Sequence, residues 1–337
     1  MKYAIVFSLL AVGMAFSAER LSDVNNTTGS AGLIMIDKRG SLVRFFDPKT
    51  FKEISNLAID GTPHELAISP DHKTAYVPNY GDGVYGNNPH PGHTIAVIDL
   101  AARKVRTTID ISPYIAPHGL QVDAGGTLYA TCDLSRKLLA IDPKKLTITA
   151  AIDTEGTGHW VAVLPDGSKA YVANKNDRPF ISVIDLRAKK MIGTIPMPKG
   201  TQGISASLDG KFVLAMDFAE PKMMVIDTST DKIVDEIPLD GNSKGAWRSK
   251  YSPDGKSVVV INVTERSASV LQAVNLKSAQ QKLTVGSQPF GIAFTADSSK
   301  ALVSNHGDGT ISVIDLRNSQ VVNTFTAGTG IETLSFY

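Results

Sequence analysis

The sequence predicts an all-β fold, a seven-bladed β-propeller of four-stranded blades whose ring is closed by the C-terminal strand pairing with the N-terminal blade. Three observations predict it. A hairpin pattern, an apolar run, a Pro-Asp or Asp-Gly turn and a second apolar run stopping on a polar residue, recurs along the whole chain. Its copies include TPHELAISPDHKTAYVPN at 62–79, HWVAVLPDGSKAYVAN at 159–174, WRSKYSPDGKSVVVIN at 247–262 and FGIAFTADSSKALVSN at 290–305. Each copy is followed by two further short runs, so the unit is four strands in about 40–45 residues, the size of a propeller blade. Finally, the two ends of the chain hold complementary fractions of one unit.

The copies align on His64, His118, His159, Gln202, Trp247, Phe290 and Ile331, in steps of 54, 41, 43, 45, 43 and 41 residues. Fifteen residues after each of the first six comes a polar stop: Asn79, Asp133, Asn174, Asp217, Asn262 and Asn305. Third runs end on Asp99, Asp142, Asp185, Asp227, Asn275 and Asp315, and more polar fourth runs close each unit. Pro, Gly, Asp and Asn fall between runs, where turns need them. Recurrence on every unit marks both acidic or amide series as turn formers rather than a binding ring. The second and third runs are apolar on consecutive residues, which means strands buried on both faces, as blades stacked around an axis require. The fourth runs carry Lys104, Arg106, Lys190, Lys232 and Lys282, charges that keep an outer edge from recruiting other strands. Residues 33–60 supply three strands with stops at Asp37 and Asp47, and 330–336 supply the missing first strand. Six whole blades and one shared blade make seven.

The N-terminus is a separate element. Lys2, an apolar run from Tyr3 to Phe16 and the small residues Ser17 and Ala18 fit a secretory signal over 1–18, cleaved after Ser17 or Ala18. The run is too short to span a bilayer, which takes about 20 apolar residues. The expectation is a periplasmic or secreted protein with no membrane span after cleavage, a flexible lead-in at 19–32 and one propeller domain at 33–337. Without Lys2, 33 of the 34 basic residues face 33 acids. That balance gives no basic footprint for nucleic acid. The single cysteine, Cys132, excludes an intrachain disulfide and covalent haem c, and reads as a small buried hydrophobe in a monomer.

The motif pair PDGxxAYVxN and ISVIDL, closest at 163–186 and 294–316, resembles the YVTN β-propeller repeat family, which includes the YncE-like periplasmic proteins. The resemblance covers Leu33 to Tyr337. It implies a seven-bladed, WD40-like fold; members include binding proteins and lactonase-like enzymes, so chemistry has to come from the residues themselves.

Those residues are the starts of the first strands, which ring one mouth of the channel. His64, His118 and His159 fall on three consecutive blades, although histidine is only 7 of 337 residues, and Gln202, Trp247 and Phe290 follow. The next positions add Glu65, Trp160, Arg248 and Glu332. Imidazoles suit a divalent metal or proton transfer, and a carboxylate such as Glu65 could complete a metal shell or act as base. The loop between Asn79 and Asp99 is ten residues longer than its counterpart between Asn305 and Asp315, and brings Tyr85, His90 and His93 over the mouth. His306, on the equivalent loop of the last blade, is a minor candidate, and His72, at the opposite end of its strand, has no assigned role. Three readings follow. The first is an exported propeller binding a small ligand, a metal or a protein partner at the histidine mouth. The second is a lyase or lactone hydrolase, with His64, His118 and His159 holding a divalent metal or shuttling protons and Arg248 clamping an anionic substrate. Here Pro117-His118-Gly119 is similar to the His-dependent streptogramin-type lyases. The third is a protein-interaction scaffold without a site. In the capping alternative, the three histidines merely bond neighbouring loop carbonyls.

Overall fold

The computed structural model describes residues 30–337 apart from 86, 176–178 and 198–199. The expected signal at 1–18 and most of the lead-in at 19–32 lie outside the described residues. Among the described residues no helix is long and apolar enough to cross a membrane.

Among the described residues twenty-eight strands form seven four-stranded antiparallel sheets. Blade 1 is the composite one: Ile331–Phe336 pairs with Leu33–Asp37, which is followed outward by Leu42–Phe46 and Glu53–Ala58. The pairing is antiparallel, Leu33 opposite Phe336 and Ile34 opposite Ser335, and Gly32 and Tyr337 exchange a further pair of backbone hydrogen bonds. Asp37 locks the seam by accepting hydrogen bonds from the Thr329 and Gly330 amides, the Thr329 hydroxyl and Arg44. Blades 2 to 7 follow in chain order, with first strands Ala67–Ile68, Pro117–Val122, Gly158–Val163, Thr201–Ala206, Arg248–Tyr251 and Pro289–Phe294.

The core has the form the consecutive apolar runs demand. Seven clusters of buried side chains sit one at each blade–blade interface rather than in a single centre. Between blades 4 and 5, for example, Tyr171, Ile181 and Val183 meet Ile204, Val213 and Met224. The seam between blades 7 and 1 joins Ala293, Leu302 and Val313 to Leu33, Met35 and Leu334. Cys132 is buried in the interface of blades 2 and 3.

Both polar series act as turn formers. Asp47, Asp142 and Asp227 each accept backbone amides two and three residues on, and Asp217 accepts those of Ala219 and Glu220. One register assignment needs correction. The third strand of blade 6 is Ser267–Gln272, so Gln272, opposite Ser257, holds the place taken elsewhere by the terminal acid. Asn275 lies three residues later, bridged to Gln272 across a small turn whose Val274 is exposed. The apolar Ala273-Val274 pair made the run look longer than the strand.

Candidate functional site

The residues that ring the mouth owe their position to a repeated irregularity. In blade 3 Pro117 pairs with Cys132 and Leu120 with Ala130, so the first strand carries one extra residue at His118–Gly119. The same slip occurs at His159–Trp160, Gln202–Gly203 and Phe290, and at Glu332 in the closing strand. A bulge breaks the strict alternation of side chains and re-aims them. Blade–blade approach sets who can follow the bulge: a Cβ on Gly119 would lie 2.5 Å from the His159 carbonyl oxygen, and one on Gly203 would lie 2.1 Å from that of Trp247. The packing leaves those positions to glycine.

Two of the bulge residues, His118 and His159, gather with His64, which holds the same repeat position in blade 2. The rings of His64 and His118 lie 4.5 Å apart and those of His118 and His159 4.0 Å, a tilted row across blades 2, 3 and 4. All three are at most 5 % exposed. The hydroxyl of Tyr80 donates to Asp133 while its ring meets His64 and His118 edge-on. Lys38 donates to His64 Nε2, and His64 Nδ1 faces Glu332 at 3.5 Å. Glu332 also faces His306 Nδ1 at 3.2 Å and Lys38 at 4.0 Å. Neither ring nitrogen of His118 has a hydrogen-bond partner, and the same holds for Nδ1 of His64 and of His159 and for Oε1 of Gln202. The capping expectation, imidazoles bonded to loop carbonyls, is met only loosely at His118, where the His159 backbone raises the ring's basicity without forming a well-shaped hydrogen bond. The carbonyl of His159 also accepts from the Thr131 hydroxyl, at 2.8 Å.

Burial, reinforced by nearby positive charge, keeps these imidazoles neutral. The basicity of all three is well below the ordinary histidine value. For His118 the cause is burial first, then Lys38, Arg248 and Lys175. Burial also depresses Lys38 and brings Lys175 down to about 8. Lys175 Nζ sits 5.2 Å from the ring centres of Tyr85, Phe218 and Trp247, an aromatic cage closed around the chain's own ammonium. Trp247 stacks on Phe290 at 5.2 Å, and Phe290 meets His306. Among the described residues no group of three or more His, Cys, Asp or Glu is arranged to hold a metal ion. Imidazoles on one zinc would converge their nitrogens on a point about 2 Å from each; these stack in a row.

The other sequence candidates separate. Of the long loop, Tyr85 reaches the site: its ring packs on His159 at 4.5 Å and its hydroxyl donates to Thr157. His90 is exposed and bonded to Asp82, and His93 is exposed, so neither lines the mouth. Arg248, expected to clamp a substrate, is already engaged. It donates to Glu65 at 2.6 Å and stacks on Trp160 at 3.7 Å, while Trp160 Nε1 donates to the same Glu65 oxygen at 2.8 Å. Burial pushes the Glu65 carboxyl up despite Arg248. This triad from blades 2, 4 and 6 forms a plug across the channel just below the histidines. A cavity of about 590 Å³ lies beyond the plug, along the rest of the first strands.

Lys38, Tyr80, Lys175 and Phe218 escaped the sequence reading, and His306 was under-weighted. One signal would have found all five: each directly follows a polar stop, at Asp37, Asn79, Asn174, Asp217 and Asn305. The stop turns the chain at the mouth, so the next side chain projects over it.

Residues 131–254 match the family model of the YncE-like β-propellers. Comparison with curated protein sequences gives no match. Among solved structures, a chain of the Kuenenia stuttgartiensis hydrazine synthase superposes with a TM-score of 0.67 at 18 % identity, over 83 % of this chain and 93 % of that one. At that identity the likeness concerns the fold.

Proposed function

We propose that this YncE-like β-propeller is an exported binding protein that takes a small organic anion at the histidine-lined mouth of its channel. The observation that carries the reading is the set of buried nitrogens and oxygens without partners on His64, His118, His159 and Gln202, all at one place. Buried polar groups in native proteins are nearly always satisfied, and a cluster of exceptions calls for a polar occupant. Charge selects its sign. Lys38, Lys175 and Arg248 act on His118; of the carboxylates of this region Glu65 is bonded to Arg248 and Trp160, and Glu332, whose Oε2 has no hydrogen-bond partner, faces Lys38 at 4.0 Å and His306 at 3.2 Å, so three cations stand against two carboxylates. The Trp247–Phe290 stack offers a flat apolar wall for the body of such a ligand, and Tyr85, held to Thr157, covers the histidines. The lyase or hydrolase reading draws on the same imidazoles and gains no separate support, so binding is the reading adopted.

Benzoate, a carboxylate on a flat ring, is the simplest probe. Calorimetric titration of untagged protein at pH 7.5 is expected to give saturable one-site binding, weakened at least tenfold in Lys38→Met and in Lys175→Met and unchanged in His90→Ala. Equal binding by wild type and Lys38→Met would refute the reading. Export is checked by the intact mass of the chain recovered outside the cytoplasm, which should begin at Ala18 or Glu19.

A further inference from the structure

The cavity beyond the plug has a chemistry of its own. It runs from Glu65, Trp160 and Arg248 to the far opening, where Ala124, Pro165 and Leu208 stand. At about 590 Å³ it falls in the range of small-molecule pockets, roughly 300–1,000 Å³. Its wall is largely apolar, with Leu66, Ile68, Leu120, Val122 and Ile204 contributed by three blades. Most of its polar side chains are spoken for. Gln121 is bonded through both ends of its amide to the Val163 backbone, and Ser205 to Ser249 at 2.8 Å.

Lys250 is different. Its side chain is exposed, and it lines the channel, so the surface it keeps faces this cavity. Its ammonium has one polar contact, the Ile292 carbonyl at 3.3 Å, and no ion pair among the described residues. Glu65, the nearest negative influence, is already bonded to Arg248 and Trp160. An ammonium without an ion pair on an otherwise apolar channel wall is the kind of single placed polar group that fixes the charged end of a ligand.

We propose that the lower channel is a second binding site, for an amphipathic monocarboxylate of the medium-chain fatty acid class, with its carboxylate on Lys250 and its tail along the apolar wall toward the far opening. One cation fixes one negative charge at the inner end. The apolar side chains that make up most of the wall suit a hydrocarbon tail for the rest of the ligand. The site is separated from the histidines by the Glu65–Arg248–Trp160 plug and does not depend on the reading of the mouth. Trp160, which lines the cavity, reports occupancy by its fluorescence.

The experiment titrates hexanoate, octanoate and decanoate, below their micelle concentrations, into the full mature chain and follows both Trp fluorescence and heat. Affinity is expected to rise about threefold to fourfold per added methylene, as burial of each CH₂ contributes about 0.8 kcal/mol. Decanol should bind at least tenfold more weakly than decanoate, and Lys250→Met should lose at least tenfold for decanoate while Lys250→Arg retains most of it. Benzoate binding at the mouth should be the same in Lys250→Met as in wild type, and decanoate binding the same in Lys38→Met, so that failure at one site is told from failure at the other. Equal affinity of decanoate for wild type and Lys250→Met, equal affinity of decanol and decanoate, or no saturable decanoate binding would each overturn the proposal. Because Lys250 is open to the channel, its replacement should leave the melt cooperative; should Lys250→Met not fold, Lys250→Arg against the decanol control decides the question.

Discussion

Replacing His118 with leucine should leave stability nearly unchanged at neutral pH and make the protein more stable in acid. The imidazole is 1 % exposed and both its nitrogens lack partners. Each buried unsatisfied group costs about 1–3 kcal/mol, so removing two recovers about 2–6 kcal/mol. Against that stand four ring contacts, to His64 at 4.5 Å, His159 at 4.0 Å, Tyr80 at 5.3 Å and Tyr85 at 6.1 Å, aromatic pairs worth about 0.5–1.5 kcal/mol each. The two sides offset, and the net change expected at pH 7.5 is within about 1 kcal/mol of zero. Acid tips the balance toward the variant. His118 stays neutral in the fold, its basicity pushed well below the usual 6.5 by burial and neighbouring cations. The unfolded chain protonates there below pH 6.5, so the wild type loses stability as pH falls through that value. For one such group the loss at pH 5.5 is about 1.4 kcal/mol, and the variant escapes it. Asp133, raised to about 6 by burial, moves the other way in that window, but it is present in both proteins and cancels in the difference. Urea unfolding at pH 7.5 and 5.5 measures both quantities, and benzoate binding should be lost in the same variant. If His118→Leu is destabilised by more than about 1 kcal/mol at pH 7.5, or its advantage does not grow at pH 5.5, the imidazole is bonded or charged in the fold, and His118 is a structural cap.

Deleting 330–337 removes the strand that closes the ring and the partners of Asp37 at Gly330; the truncated chain should lose its cooperative melt in calorimetry, and a sharp melt near the wild-type midpoint would speak against closure by this strand. Arg248→Met leaves the buried Glu65 without its cation and should cost about 3–5 kcal/mol, much of it restored in the double variant Glu65→Gln/Arg248→Met; additive losses in urea unfolding would show that the two do not act as a pair. Tyr85→Phe loses the hydrogen bonds to Thr157, about 1 kcal/mol, and should speed benzoate association in stopped flow because the ring over His159 is freed. Binding of benzoate should weaken as pH rises past about 8, where Lys175 loses its charge; a flat profile from pH 7 to 9 would remove Lys175 from the site.

The fold was legible because a propeller writes its architecture into local repeats. Blade stacking demands consecutive apolar runs, turns demand Asp, Asn and Gly at fixed offsets, and the shared blade leaves unmatched fragments at the two ends; each is a property of a few neighbouring residues. The site was legible in part. His64, His118, His159 and Gln202 stood out because they share one repeat position, and Tyr85 because its loop is long. What stayed hidden was direction. Nothing in the spacing tells that Arg248 turns to Glu65 and Trp160 rather than to open space, because that pairing joins residues 183 positions apart across the channel. Nor does loop length tell that Tyr85 packs inward while His90 remains at an exposed tip beside Asp82.

The bulge explains why one repeat can carry different chemistry on every blade. In a regular strand, the residues at His159 and Trp160 would point to opposite faces, and one of them would have to be a core residue. The extra residue relaxes that rule at one place only, at the channel end of the innermost strands of blades 1, 3, 4, 5 and 7, while the register beyond it, Val161 opposite Val172, is restored. Packing between blades therefore constrains the bulge solely through close backbone approach, which claims Gly119 and Gly203 and leaves the remaining positions open. Those open positions, with their counterparts in blades 2 and 6, hold the neutral imidazoles above and the Glu65–Arg248–Trp160 plug below. The plug in turn divides one channel into two compartments of different character, a polar mouth ringed by cations and an apolar lower chamber with a single free ammonium among its described residues. A change at the bulge can thus alter what either chamber binds without disturbing the seven interfaces that hold the ring.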